Sequence, residues 1–335
     1  MGEYKKQHYV PQVYLRRFTA DGEHLYVFDK LQKDPARRIR RGTVRDIAHE
    51  NDFYDIPAEV LKPEVRPGHD RKMIEKLLGR FDAEMGSEVE HLVATAGSGP
   101  IDPARRALLA RALGVQALRT RDARDTVVEV SRQVLETFCR DLTERNFPGQ
   151  GHLAPRAQIK PEYIPVYHAR LILQSGIETV GRAFFNFTWT VGLNKTRQPL
   201  YTSDQPVVRF AHLDDPELSH EGFASPGIEV AFPLGPEHLL LMRDVRAPGG
   251  ERINDGRVEE MTEERVAFYN GLQVEQSRRQ IYCRDDAFDQ AADMWAADPE
   301  LSAPSGEKVS VKIVPTDDPL RSLIVTNVRA ARKRR

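Results

Sequence analysis

Apolar positions along the 335-residue chain change their spacing twice, from strand-like to helical and back again. Near the start, Tyr14-Leu15-Arg16-Arg17-Phe18 and Leu25-Tyr26-Val27-Phe28 flank Asp21-Gly22, which predicts a β-hairpin. After Pro35, Ile39 to Asp55 reads as a second strand pair or a strand and loop. The period then lengthens. Ile74, Leu77, Leu78, Phe81, Met85, Val89, Leu92 and Val93 recur every three or four residues, which predicts an amphipathic helix from Asp70 to Ala96. Gly97-Ser98-Gly99-Pro100 stops it. Asp102 is expected to cap the next helix with Pro103 in its first turn. Further helices are expected from Asp125 to Arg145 and from about Pro161 to Phe187.

Beyond that point short β-rich runs return. Trp189 to Leu193, Pro199 to Phe210, Gly227 to Leu234, His238 to Met242 and Gln280 to Cys283 read as strands, with a helix from Glu259 to Gln273 among them. Lys308 to Val314 alternates as a final or edge strand. Strands, then helices, then strands predict an α+β fold. Its parts are an N-terminal hairpin region (8–56), a central helical bundle (70–187) and mostly antiparallel strands (188–314). They are expected to form one integrated domain over 1–328, with a basic tail at 329–335.

Composition narrows the function classes without selecting one. The chain is 40% hydrophobic, enough for a packed core and too much for disorder. With 49 Lys and Arg against 50 Asp and Glu, net charge is −1, so no global field points to nucleic acid or membrane. The 2 cysteines exclude a disulfide scaffold; Cys139 and Cys283 read as small core hydrophobes. No run approaches the ~20 apolar residues of a membrane span, and Met1–Gln12 lacks a secretion-signal core. A soluble, cytoplasmic protein is expected. Dinucleotide, Walker, metalloprotease and nucleophile-elbow motifs are absent.

What remains is a set of separated polar motifs. Lys6-Gln7-His8-Tyr9-Val10-Pro11-Gln12-Val13-Tyr14-Leu15-Arg16-Arg17-Phe18 contains H-Y-V-P-Q-x-Y-L-x-x-F. Glu50-Asn51-Asp52-Phe53-Tyr54, Gln116-Ala117-Leu118-Arg119-Thr120, Thr202-Ser203-Asp204-Gln205-Pro206-Val207, Phe232-Pro233-Leu234 and Asn270 follow. Together, over roughly residues 5–285, they resemble a bacterial family known as domain of unknown function 4238. The resemblance implies that the elements belong to one unit and carries no activity across.

His8 could act as general base, metal ligand or phosphate donor, or be bonded inside an N-terminal clasp. In an extended segment His8 and Gln12 would share one side and Tyr9 the other. Glu50, beside Phe53 and Tyr54, and Asp204, at a strand end, are the best carboxylates; for Asp204 the bland alternative is an Asx-turn. Gln116 and Arg119 lie one helical step apart, near Arg121 and Arg124. An arginine there could grip a phosphate or carboxylate, or pair with Asp122 or Asp125. Glu84 and Glu88, four apart on the expected helix, could help hold a divalent metal, but such pairs are more often a solvated shoulder, here partnered by Arg80 or His91.

Two functions follow. The first is a hydrolase, such as a metal-assisted phosphodiesterase or nuclease. His8, Glu50, Asp204 and Arg119 would then converge in one cleft, with Gln12, Gln116, Ser203 and Asn270 binding ligand. The cofactor is left open, with a divalent cation as the candidate. The second is a non-catalytic protein binding nucleic acid or an acidic partner through Arg37, Arg38, Arg40 and Arg41 within the Arg37–Arg45 stripe. Tyr26, Phe28 and Tyr54 could stack on bases there.

Overall fold

Asp102 does cap its helix: its side chain accepts from the Arg105 backbone N–H at 3.0 Å, and Pro103 opens the first turn. Such local signals hold throughout the middle of the chain in the computed structural model, which describes residues 6–213, 221–302, 308–314 and 323–329. The elements begin with β1 (Lys6–His8), α1 (Gln12–Leu15), β2 (His24–Asp29), α2 (Pro35–Arg38), β3 (Ile39–Thr43) and β4 (His49–Asn51). The bundle follows as α3 (Met73–Ala94), α4 (Pro103–Leu118), α5 (Arg121–Asn146), α6 (Ile164–Arg170), a π-helical stretch (Leu171–Gly181) and α7 (Arg182–Asn186). Next come β5 (Thr188–Asn194), β6 (Thr202–Ser203), β7 (Val208–Ala211), β8 (Ile228–Gly235), β9 (His238–Arg243) and β10 (Val258–Met261). Then α8 (Glu263–Gln276), β11 (Gln280–Cys283), α9 (Asp289–Ala297), β12 (Lys308–Val314) and β13 (Leu323–Arg329) complete the described elements. The fold is α+β.

Two sheets carry the strand-rich part. One runs β10-β5-β9-β8-β7, antiparallel except where β10 joins β5 in parallel. All eight residues of β8 are buried, because both faces of this sheet are covered. Alternation sorts them: Val230, Phe232, Leu240 and Met242 join the core shared with the helical bundle. Ala231, Leu239 and Leu241 pack with Val266, Tyr269 and Leu272 of α8. The second sheet, β3-β2-β11-β6, is wholly antiparallel and assembles residues from both ends of the chain. Tyr14 ties the two together, donating to the Pro233 carbonyl at 2.8 Å and meeting the Thr202 hydroxyl at 2.8 Å.

In the bundle, α4 and the π-helical stretch approach through glycines. A Cβ on Gly114 would overlap the Gly176 carbonyl oxygen and the Gly181 backbone. The backbones can meet there because no side chain separates them.

Several expectations need correction. Tyr14 to Phe18 is not a strand: α1 and a 3-10 turn over Arg16–Phe18 bury Tyr14, Leu15 and Phe18 together, a helical spacing that a short aromatic run disguises. The hairpin around Asp21-Gly22 therefore does not form, and β2 pairs with β3 instead. The expected helix from Glu259 starts as β10, and only after the Thr262 cap does α8 begin. The segment from Pro199 to Phe210 holds two short strands rather than one. Helix α9 and strand β13, which pairs with β12, add to the elements expected from the sequence. Glu84 and Glu88 pair with Arg111 and Arg105 across helices, not with Arg80 or His91. The end of the basic tail, residues 330–335, lies outside the described residues. No helix among the described residues is long and apolar enough to cross a membrane.

Candidate functional site

The N-terminal ribbon is the piece on which the site is built. Antiparallel pairing of β1 with β4 sets Gln7 opposite Glu50 and His8 opposite His49. Gln7 is fully buried and locks the ribbon down: its amide donates to Asp55 at 2.5 Å and Glu75 at 2.9 Å, and its oxygen accepts from the Tyr54 N–H at 2.6 Å. From the α4 side, Gln116 donates to the Tyr9 carbonyl at 3.0 Å, and Arg119 donates to the His8 carbonyl at 2.6 Å. The chain leaves this clasp with Tyr9 packed on Phe53, ring centroids 5.7 Å apart.

The Tyr9 phenol is the centre of the polar arrangement. The residue is 6% exposed, and its hydroxyl has no hydrogen-bond partner among the described residues. Burial pushes its pKa up, helped by Asp204 and Glu50 and opposed by Arg121 and Arg279. Those four groups arrive on different elements. Glu50 on β4 accepts from Arg121 and Arg124 at the start of α5, with Arg121 Nε at 2.6 Å. Arg279, just before β11, holds the Asp29 carboxylate through Nε at 3.0 and 2.9 Å. Asp204 follows β6 and is fully enclosed.

Sheet register sets the neighbours of Tyr282. Arg40, Val27, Tyr282 and Thr202 lie opposite one another across four strands and so share a face. Burial lifts the Tyr282 hydroxyl well above its usual pKa, with Tyr9 and Asp204 adding to the shift and Arg40 opposing it. Tyr282 donates to Gln280 at 3.0 Å. Beside Glu50 a groove of about 360 Å³ opens between Phe53, Arg124, Asp125 and Ile164, and the Arg124 guanidinium lies 4.0 Å from the Phe53 ring centroid.

The sequence-predicted residues do not form one constellation: Glu50 and Asp204 act on Tyr9, whereas the other side chains have partners elsewhere. The His8 imidazole lies 5.4 Å from that of His49, and its Nδ1 is 3.5 Å from Gln12 Nε2. Its pKa falls to about 4, chiefly by burial and then by His49. Arg119 directs its guanidinium to Asp82 and is almost fully enclosed. Asp204 accepts the backbone N–H groups of Arg278, Arg279 and Gln280 at 2.9, 2.8 and 3.0 Å. Burial raises its pKa against those bonds and the charge of Lys30. Ser203 donates to Gln273 at 2.7 Å, while Asn270 bridges the Tyr201 N–H and the Pro199 carbonyl. Both are wholly buried and fasten α8 to the β6 segment.

The arginine stripe does not present one face. Arg37 lies 3.5 Å from Asp34, Arg38 stacks 3.6 Å from the Trp295 ring centroid, and Arg41 bonds Asp21 at 2.8 Å. Only Arg40 of these four shares the Tyr282 face, because β3 alternates and α2 interrupts the run. Phe28 and Tyr54 are buried and so are not open to stacking by bases. Among the described residues no three His, Cys, Asp or Glu side chains gather as metal donors.

Tyr9, Arg279 and Tyr282 were missed as site residues. Tyr9 stood inside the motif that singled out His8, but only the β1–β4 pairing shows which of the two neighbours faces the polar cluster. Arg279 carries no local signal.

A family model described as protein of unknown function DUF4238 matches residues 6–287. That is most of the chain, which therefore belongs to this family. No curated protein and no solved structure matches it.

Proposed function

We propose that this DUF4238 family member binds an anionic ligand, one carrying a phosphate or carboxylate group, at Tyr9. The observation that carries the reading is the Tyr9 hydroxyl, which has no hydrogen-bond partner among the described residues and belongs to a residue that is only 6% exposed. An oxygen of an anionic ligand can accept from this free donor at the mouth of the cluster. Its raised pKa keeps the proton on, so the phenol serves as a donor and not as a nucleophile. Arg121 and Arg279 stand in the same electrostatic neighbourhood; each turns Nε and Nη2 to one carboxylate and, being partly exposed, keeps Nη1 without a partner among the described residues. Glu50 and Asp204 are matched by arginines and by backbone N–H groups respectively, which lessens their repulsion of an anion.

Hydrolysis at the same place, including metal-assisted phosphodiester cleavage, would call for a base that titrates near neutrality. The His8 imidazole is poised far below that, at about 4, and Glu50 and Asp204 are already engaged. The geometry therefore supports recognition ahead of hydrolysis. Nucleic-acid binding through the whole Arg37–Arg45 stripe has less support, since its arginines point to different partners.

Calorimetric titration with inorganic phosphate, citrate and mononucleotides tests the reading. At least one anion should bind, with affinity falling as salt rises. A hydrogen bond to a charged group is worth ~1.5–3 kcal/mol, so Tyr9→Phe should weaken binding by about 10-fold or more. Arg279→Gln should also weaken it, and Arg37→Gln should not. Unchanged binding in Tyr9→Phe, or no binding by any of these anions, sinks the reading.

A further inference from the structure

A second cavity lies at the other end of α4. From Arg105, on its rim, to Gln116, beneath Tyr9, the helix rises about 16 Å. The cavity has a volume of about 260 Å³ where the end of α3 and the start of α4 meet β5. Its walls are Leu92, Ala96, Ile101, Leu109, Trp189 and Val191. An apolar void of about 150 Å³ holds one benzene ring, so this one has room for a substituted or fused ring.

The polar groups around it select by charge. Glu88 is buried and paired with Arg105 at 3.1 Å. Arg106 grips both carboxylate oxygens of Asp255, at 2.7 and 2.6 Å, with its guanidinium 5.0 Å from the Trp189 ring centroid. Asp102 is taken up by its cap. Both arginines face a carboxylate, Asp102 faces its helix start, and the remaining walls are apolar, so an ion entering the cavity would lose its hydration without an unpaired opposite charge to replace it. The His91 imidazole and the Ser98 hydroxyl have no hydrogen-bond partner among the described residues and can meet one polar substituent.

We propose that this cavity is a second binding site, for a neutral planar molecule with an aromatic body and one hydrogen-bonding group, as in a phenol. The site is independent of Tyr9 in residues and in chemistry. Occupancy sets the ring against Leu109 and Trp189, with its polar group at the His91 and Ser98 mouth.

The chain has 2 tryptophans, so its two indole N–H signals in a nitrogen-proton correlation spectrum can be assigned with Trp295→Phe. The Trp189 indole donates to the Phe184 carbonyl at 2.7 Å, and its signal reports on the cavity wall. Titration of the full chain with 4-fluorophenol should shift the Trp189 signal to saturation and leave Trp295 in place. The anionic 4-fluorobenzoate should bind at least about tenfold more weakly. Ala96→Phe should fill the space and abolish the shift; should that variant not fold, Ser98→Phe from the exposed loop blocks the mouth instead. Tyr9→Phe should leave the titration unchanged. No saturable shift at millimolar phenol, equal binding of the benzoate, or a shift that survives the blocking variants overturns the proposal.

Discussion

Gln116 donates from Nε2 to the carbonyl oxygen of Tyr9 across 3.0 Å, while its own Oε1 is enclosed without a partner. One helix side chain thus holds the backbone of the residue at the centre of the candidate site. The bond does not depend on the phenol. Gln116→Leu should leave the Tyr9 carbonyl unmet and cost about 1–3 kcal/mol. It should also weaken anion binding more than its loss of stability explains, because Tyr9 is no longer fixed. Urea unfolding and titration of the same variant separate the two effects.

The glycine contact between α4 and the π-helical stretch makes a sharper prediction. Gly114→Ala puts a methyl group into the Gly176 carbonyl and must force the helices apart. A loss of roughly 1–3 kcal/mol or more is expected from such overpacking. Gly79→Ala, on the exposed side of α3 with open space around it, should instead stabilise by about 0.5–1 kcal/mol. Melting temperatures moving in opposite directions would bear this out.

His8 predicts a pH dependence. Its folded-state pKa is about 4 against 6.5 for the free side chain, because burial and His49 disfavour the charged ring. A depressed histidine stays neutral in the fold while the unfolded chain takes up a proton. The contribution is therefore intact above pH 6.5 and is lost as pH falls from 6.5 towards 4. At most about 3 kcal/mol is at stake, and His168, buried to a pKa of about 3, loses stability over the same range. His8→Asn should flatten the fall in stability between pH 7 and pH 5, read by urea unfolding at both. An unchanged slope would count against this account of His8.

Lys30 tests whether distant parts of the chain unfold together. It is 1% exposed, with Nζ on the carbonyls of Val274 and Ser277 at the end of α8, and its charge acts on Asp204. Lys30→Met leaves those acceptors and the Asp204 carboxylate less compensated, at a cost of about 3–5 kcal/mol. Because β2, β6 and β11 share one sheet, we expect a single transition by far-ultraviolet and near-ultraviolet circular dichroism, shifted as a whole. Two separated transitions would divide the chain into independent units.

Local signals alone determined the helical middle. Asp102 and Pro103 set the start of α4, and the three- and four-residue spacing of Ile74, Leu78, Phe81, Met85, Val89 and Leu92 determined α3, because caps and periodicity act within a few residues. Motif content singled out His8, Glu50, Gln116, Arg119 and Asp204 without showing their partners. What each of them does was decided by tertiary structure. Strand partners come from far along the chain, so nothing near Tyr14 could show that β2 would pair with β3 and β11 in place of a hairpin. The β1–β4 register sets His8 opposite His49 and away from Glu50, and Tyr9, the residue after β1, is left beside the polar cluster. Arg279 and Tyr282 join it only because β11 lies between β2 and β6, a pairing without trace in local composition.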